Sequence, residues 1–175
     1  MSNYFKATPQ IMEMLGSLKD QYHPHLAAAN IAVDIVDSKA YVKNEINLGK
    51  VSKFSQSAKL WMAEQKYDFR ITLVQDVWYE ILDNAQRQAT LDLHLTRCQV
   101  ELIPNSVIEN GKKKVIKDEH GRIEYTNEVK TLDDGSPAWK VLPLNLHVIS
   151  QNIKRFGVWC EDIMELKMAL EEENA

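Results

Sequence analysis

The chain has 175 residues, 45% of them hydrophobic and 26% charged, with a formal net charge of −4 and a pI near 5.7. Such a length suits one domain with a core of its own, and the composition is that of a soluble globular protein. A mildly acidic chain disfavours broad attraction to nucleic acid, and no apolar run approaches the roughly 20 residues of a membrane span.

Met1–Lys6 lacks the apolar core of a signal peptide, so a cytoplasmic location is expected. Thr8-Pro9 predicts a helix start, threonine as cap and proline in the first turn, with Ile11, Leu15 and Leu18 as the buried stripe. Pro24 ends that helix. Asn30–Val36 alternates Ile31, Val33 and Ile35 with other residues and predicts a strand; Ala40–Val51 predicts another at an edge. Phe54–Gln65 has helical composition with Leu60 and Trp61 inward, and Tyr67–Val74 is the strongest strand candidate.

Asp76–Leu82 predicts a short helix that buries Trp78, Ile81 and Leu82. Asp83, with Gln86 three residues on, forms a capping-box pattern that starts a helix over Asn84–Cys98. On it Leu91, Leu95 and Cys98 share one face, with His94 beside them. Asn110-Gly111, between Val107-Ile108 and Lys114-Val115-Ile116, is a hairpin signal, and Arg122–Thr126 predicts a further strand. Asp133–Pro137 is a turn. Leu146–Phe156 is a helix stopped by Gly157, and Glu161–Glu173 is a last amphipathic helix using Ile163, Leu166 and Leu170.

Chemistry-bearing motifs are scarce. There is no G-x-S-x-G, no phosphate-binding loop and no dinucleotide fingerprint. Cys98 and Cys160 give neither a metal spacing nor a disulfide framework. Lys112, Lys113, Lys114 and Lys117 form a basic tip, and Glu171–Glu173 an acidic end, both of the kind that solvated surfaces carry.

Several segments resemble, in order and spacing, the phage metallopeptidase family. They are His23-Pro24-His25-Leu26, Lys50–Lys59, Asp68-Phe69-Arg70-Ile71, Trp78, Gln86–Ala89, Leu91–Thr96, Trp139-Lys140-Val141 and Arg155-Phe156-Gly157-Val158-Trp159. The resemblance runs from about Ile11 to Asp162. It implies an α+β fold: a minimal zincin-like domain, a small mixed sheet packed by helices, with a β-hairpin insertion after the active-site-like helix. A single domain over 1–175 is expected, its core at about 8–98 and 139–173 and its insertion at about 100–130.

The family helix carries H-E-x-x-H, two ligands sharing a face and a glutamate that activates zinc-bound water. In the register the resemblance gives, those five places hold Leu93, His94, Leu95, Thr96 and Arg97. Leucine offers a metal no lone pair and arginine keeps its positive charge. The later ligand segment reads Leu144-Asn145-Leu146-His147-Val148, where the family carries His, Asp or Glu and His147 falls on an acidic position. The degenerate positions are therefore Leu93, His94, Arg97, Leu144 and His147, with no catalytic residue and no cofactor expected. Arg97 is expected to replace the metal's charge and pair with Asp92 or Asp68.

What these departures leave is a binding protein. A host or anti-phage defence protein is the expected partner, with an inhibitory role, and a second copy of the chain is another. Insertions on rigid scaffolds commonly recognise partners, which makes Lys112, Lys113, Lys114, Lys117 and Tyr125 the candidate surface. The alternative is a zinc peptidase with a displaced site at His94, Cys98 and His147, three ligands being enough for a catalytic zinc. That shift turns the helix by about 100° toward the core. His23 and His25, at i and i+2 around a proline, cannot share a helix face, and the resemblance, whose members also carry them, implies a structural corner. A nucleic-acid binder is a third class, and would show steep salt dependence.

Overall fold

The computed structural model describes residues 3–43, 45–60, 62, 65–160, 163–165 and 168. The chain divides into two compact units, Met1–Cys98 with Val141–Ala175, and Gln99–Lys140.

The first unit is built on a four-stranded sheet. Its strands are β1 (Tyr4–Lys6), β2 (Ile31–Val36), β5 (Lys50–Lys53) and β6 (Phe69–Val74), in the order β1-β2-β6-β5. β2 and β6 run parallel while both outer strands are antiparallel to their neighbours, so the sheet is mixed. Ile31, Val33 and Ile35 of β2 share a face with Phe69, Ile71 and Leu73 of β6, and all six are buried. Each such side chain contributes about 1.5–3 kcal/mol relative to exposure. Between β2 and β5 lies a small hairpin, β3 (Tyr41–Val42) with β4 (Glu45–Ile46), so the edge strand expected at Ala40–Val51 is divided between this pair and β5.

Helix α1 (Pro9–Tyr22) buries Ile11, Leu15 and Leu18 and packs on α3 (Asn84–Arg97), which in turn packs on α4 (Leu146–Phe156). Pro9 fills the first turn of α1, but the Thr8 side chain makes no cap bond; its carbonyl receives the Met12 N–H instead. After α1 the chain turns through Pro24–Leu26, where Lys19 donates to the Ala27 and Ala29 carbonyls at 3.2 and 2.9 Å. The reciprocal Asp83–Gln86 cap forms as expected, and α3 ends at Arg97 because Cys98 is already extended. Gly157, at φ 71°, stops α4.

Several expected elements differ. Helix α2 spans only Gln56–Leu60; Trp61 and the side chain of Leu60 lie outside the described residues. The expected short helix at 76–82 is a π-helical turn, Val77–Ile81, closed by the Leu82 N–H on the Val77 carbonyl. The wider turn buries Trp78 and Leu82 but leaves Ile81 exposed, because i→i+5 bonding shifts the faces. Of the last helix, Ile163–Glu165 is helical and Ile163 is buried; Leu166, Leu170 and Glu171–Glu173 lie outside the described residues.

The second unit is β-rich. After β7 (Cys98–Val100), β8 (Leu102–Pro104) pairs antiparallel with β11 (Tyr125–Val129) across a register irregularity. β9 (Ser106–Glu109) and β10 (Lys112–Val115) form the hairpin, with Asn110 at φ 52° and Gly111 at φ 76°, the left-handed pair that a tight two-residue turn needs. β11 starts three residues later than the strand expected at Arg122, because Asp118 bonds the backbone of His120 and Arg122 and holds that stretch as a turn. Leu132–Ser136 is a turn, and β12 (Trp139–Val141) leads back into the first unit.

Candidate functional site

Helix α3 carries the positions of interest, and Ala89 through Thr96 are all buried. Leu93 and Ala89 belong to an apolar cluster with Val148 of α4, Trp159 and Ile163, against which Leu48 and Leu142 pack. Arg97 donates from Nε to the Leu142 carbonyl at 2.9 Å, and the Leu142 N–H returns a bond to the Arg97 carbonyl at 2.7 Å.

The expected pairing of Arg97 with Asp92 or Asp68 does not form. Asp68 accepts from the Asn30 N–H at 2.8 Å and pairs with Lys59. Asp92 faces His23, Asn152 and Arg155: His23 Nε2 and Arg155 Nη1 reach Oδ1 at 2.8 and 2.7 Å, and Asn152 Nδ2 reaches Oδ2 at 2.8 Å. Residues 92 and 97 are five apart, and so point to different sides of the helix. Arg155, from α4, stands where Arg97 was expected.

His94 is buried and donates from Nε2 to the Leu48 carbonyl at 3.1 Å. Its Nδ1 has no hydrogen-bond partner. Burial, reinforced by the positive charge of Arg97 and opposed by the Leu48 bond, pushes its pKa down to about 4, so the imidazole is neutral near pH 7. Cys98 is buried too, its thiol pushed up to about 12 by the same desolvation. His147 is exposed and bonds Gln151 at 2.9 Å, and Leu144 is exposed. Cys98, just past the end of α3, thus lies beside His94, its thiol 3.5 Å from the His94 carbonyl, whereas His147 is turned toward solvent.

These residues do not fit a zinc ion at the expected place. Leu93 has no donor atom, Arg97 is a cation committed to a carbonyl, and among the described residues no three His, Cys, Asp or Glu side chains are grouped as a metal site.

A family model described as "putative phage metallopeptidase" matches residues 2–165. The chain belongs to that family. Searches of curated proteins and of solved structures gave no significant match. Three residues of the segments singled out in the sequence gather around Asp92. His23, from His-Pro-His-Leu, and Arg155 and Trp159, from R-x-G-x-W, meet there: Trp159 Nε1 donates to Asn152 Oδ1 at 2.6 Å, and Asn152 bonds Asp92 and the Ala89 carbonyl. Sequence reasoning treated these as separate landmarks and missed Asn152 entirely. The signal available was chemical and lay at Asp92 alone, a carboxylate between Leu91 and Leu93 that needs partners when buried.

His25 donates to the Cys98 carbonyl at 3.1 Å, and its ring meets His23 edge-on at 5.8 Å, so the pair forms a packed corner. In the second unit Lys112, Lys113, Lys114 and Lys117 are exposed, with Lys114 bonded to Glu109 at 2.9 Å. Tyr125 is half exposed, with the Lys140 ammonium 5.4 Å from its ring centre. No helix among the described residues is long and apolar enough to cross a membrane.

Proposed function

We propose that this chain is a catalytically degenerate member of its family, a zincin-like scaffold that acts as a protein-binding module. The observation that carries the reading is the state of the two ligand positions. Leu93 is packed in an apolar cluster, and Arg97 is tied to Leu142. Hydrolysis through a metal held between them has no ligand to start from.

The family's description supports a phage setting for this reading. The partner in this reading is therefore a host or anti-phage defence protein in the bacterial cytoplasm, met through Lys112, Lys113, Lys114, Lys117 and Tyr125 and inhibited by direct contact. All five are exposed, and the hairpin that bears the first three is turned by Asn110-Gly111, a rigid mount for a contact surface.

Metal analysis of protein purified without added zinc tests the scaffold reading; no stoichiometric metal is expected. Stoichiometric zinc, lost on His94→Ala, would overturn it in favour of a displaced catalytic site. Affinity capture from host extract, compared with a Lys112→Glu/Lys113→Glu/Lys114→Glu variant, tests the surface. Capture that is unchanged by charge reversal removes the hairpin from the reading.

A further inference from the structure

We propose that the open edge of β9 receives an extended, acidic segment of a protein partner, which adds as a third strand to the β9–β10 hairpin. The proposal rests on the protein-binding reading above and gives it a mode and a chemistry.

Among the described residues, the hairpin is a two-stranded ribbon whose sheet contains β9 and β10 alone. Its register pairs Glu109 with Lys112, Ile108 with Lys113, Val107 with Lys114 and Ser106 with Val115. Across a two-residue turn the closing pair exchanges both backbone bonds, and the exchange then alternates along the ladder. Glu109/Lys112 and Val107/Lys114 are therefore the bonded pairs, and the Ile116 N–H on the Asn105 carbonyl at 2.9 Å continues the series. The N–H and C=O of Ser106 and Ile108 point outward from β9, as those of Lys113 and Val115 do from β10.

The two edges are not equivalent. β10 reads Lys-Lys-Lys-Val, the lysine-guarded edge by which proteins discourage strand addition. β9 reads Ser-Val-Ile-Glu, with Val107 49% and Ile108 83% exposed, and lacks that guard. A shallow groove along the hairpin is lined by Val107, Ile108 and Val115 together with Lys113 and Lys117. An extended peptide on β9 would meet backbone donors, apolar side chains and ammonium groups together.

Charge selects the occupant. Residues 106–117 carry four lysines against one glutamate, a surplus of three positive charges on a chain of −4, so the remainder carries −7. A second copy docked hairpin to hairpin would bring two such surpluses together. A nucleic acid could use the lysines but not the outward N–H and C=O ladder. An acidic protein strand uses both the ladder and the lysines.

The test uses the full chain and a labelled peptide of about eight residues alternating glutamate and valine, a usual strand length, read by fluorescence anisotropy. Saturable binding is expected, with none for the lysine–valine counterpart. Methylating alternate peptide nitrogens should weaken it by about tenfold or more, as should Lys112→Glu/Lys113→Glu/Lys114→Glu. Ile108→Pro, which removes an outward N–H, should do the same, with the melting temperature checking that the chain stays folded and Ile108→Ala controlling for the lost side chain.

No saturable binding of the acidic peptide overturns the proposal. So does binding that survives both backbone methylation and Ile108→Pro. If host capture is lost on charge reversal but kept in Ile108→Pro, the binding surface stands and strand addition falls. Equal affinity for duplex DNA, or a concentration-dependent dimer abolished by Ile108→Pro, overturns it in favour of those occupants.

Discussion

His23 Nε2 and Asp92 Oδ1 lie 2.8 Å apart, joining the corner after α1 to the middle of α3 across 69 positions of sequence. The Asp92 carboxylate is fully buried and also binds Asn152 and Arg155 of α4, so one acceptor ties three segments together. Removing it leaves the buried donors of His23 and Asn152, and the partly buried guanidinium of Arg155, without their shared acceptor. Asp92→Ala should cost about 3–5 kcal/mol in urea unfolding. A loss below about 1 kcal/mol would mean that the network contributes little.

His94 sets a pH dependence. Its folded pKa of about 4 lies below the ordinary 6.5, so the unfolded chain binds the extra proton between those values. The neutral ring's contribution is present in full above about pH 6.5 and is lost as pH falls toward 4, on the order of 3 kcal/mol in all. Burial also lowers His25, with the same sign. Comparing unfolding curves of the wild type and His94→Leu at pH 7, 5.5 and 4 isolates the His94 share. The variant should lose less stability across that window, and parallel losses would assign the effect elsewhere.

Leu93 and Arg97 should respond differently. Leu93→Ala opens a cavity among Ala89, Val148 and Trp159 and should cost about 2–5 kcal/mol. Arg97→Met keeps the aliphatic stem but loses the bond to the Leu142 carbonyl, for a cost of about 1.5–3 kcal/mol. Thermal and urea unfolding of both variants checks the order. Stability unchanged in Leu93→Ala would contradict its place in the cluster.

Gly49 sits at φ 90°, where an added Cβ would come within 1.9 Å of the Thr72 carbonyl oxygen. Neither backbone can give way without moving β6 or the Leu48 carbonyl that holds His94. Gly49→Ala should therefore destabilise by more than about 1 kcal/mol and shift the His94 ring signals in NMR. Gly16, with open space around it in α1, is the control: alanine there should stabilise by about 0.4–1 kcal/mol.

Much of the architecture was legible from local patterns. Ile11, Leu15 and Leu18 marked the buried face of α1, Asp83 with Gln86 marked the start of α3, and Asn110-Gly111 marked the hairpin turn. Each depends on residues within a few positions of one another. What failed depended on partners far along the chain or on an unusual bonding pattern. The π-helical turn moved Ile81 outward, and Asp118 held the stretch before β11 out of a strand. At the candidate site Leu93 and Arg97 were visible as letters, but the partner of Arg97 was misjudged. Nothing local says that Asp92 is taken by Arg155, 63 positions away. Asn152, a polar residue on a strongly amphipathic helix, gave no hint that it bridges Asp92 and Trp159.

The enclosure of Leu93 also bears on how readily a metal ligand could be placed there. A histidine placed there would have to be solvated or ligated inside a pocket shaped by Val148, Trp159 and Ile163, while position 97 would release Leu142. Each change alone would weaken the molecule before any metal could repay it. A metal site at these positions would thus require coordinated replacements at 93 and 97, a barrier that single-step change does not readily cross.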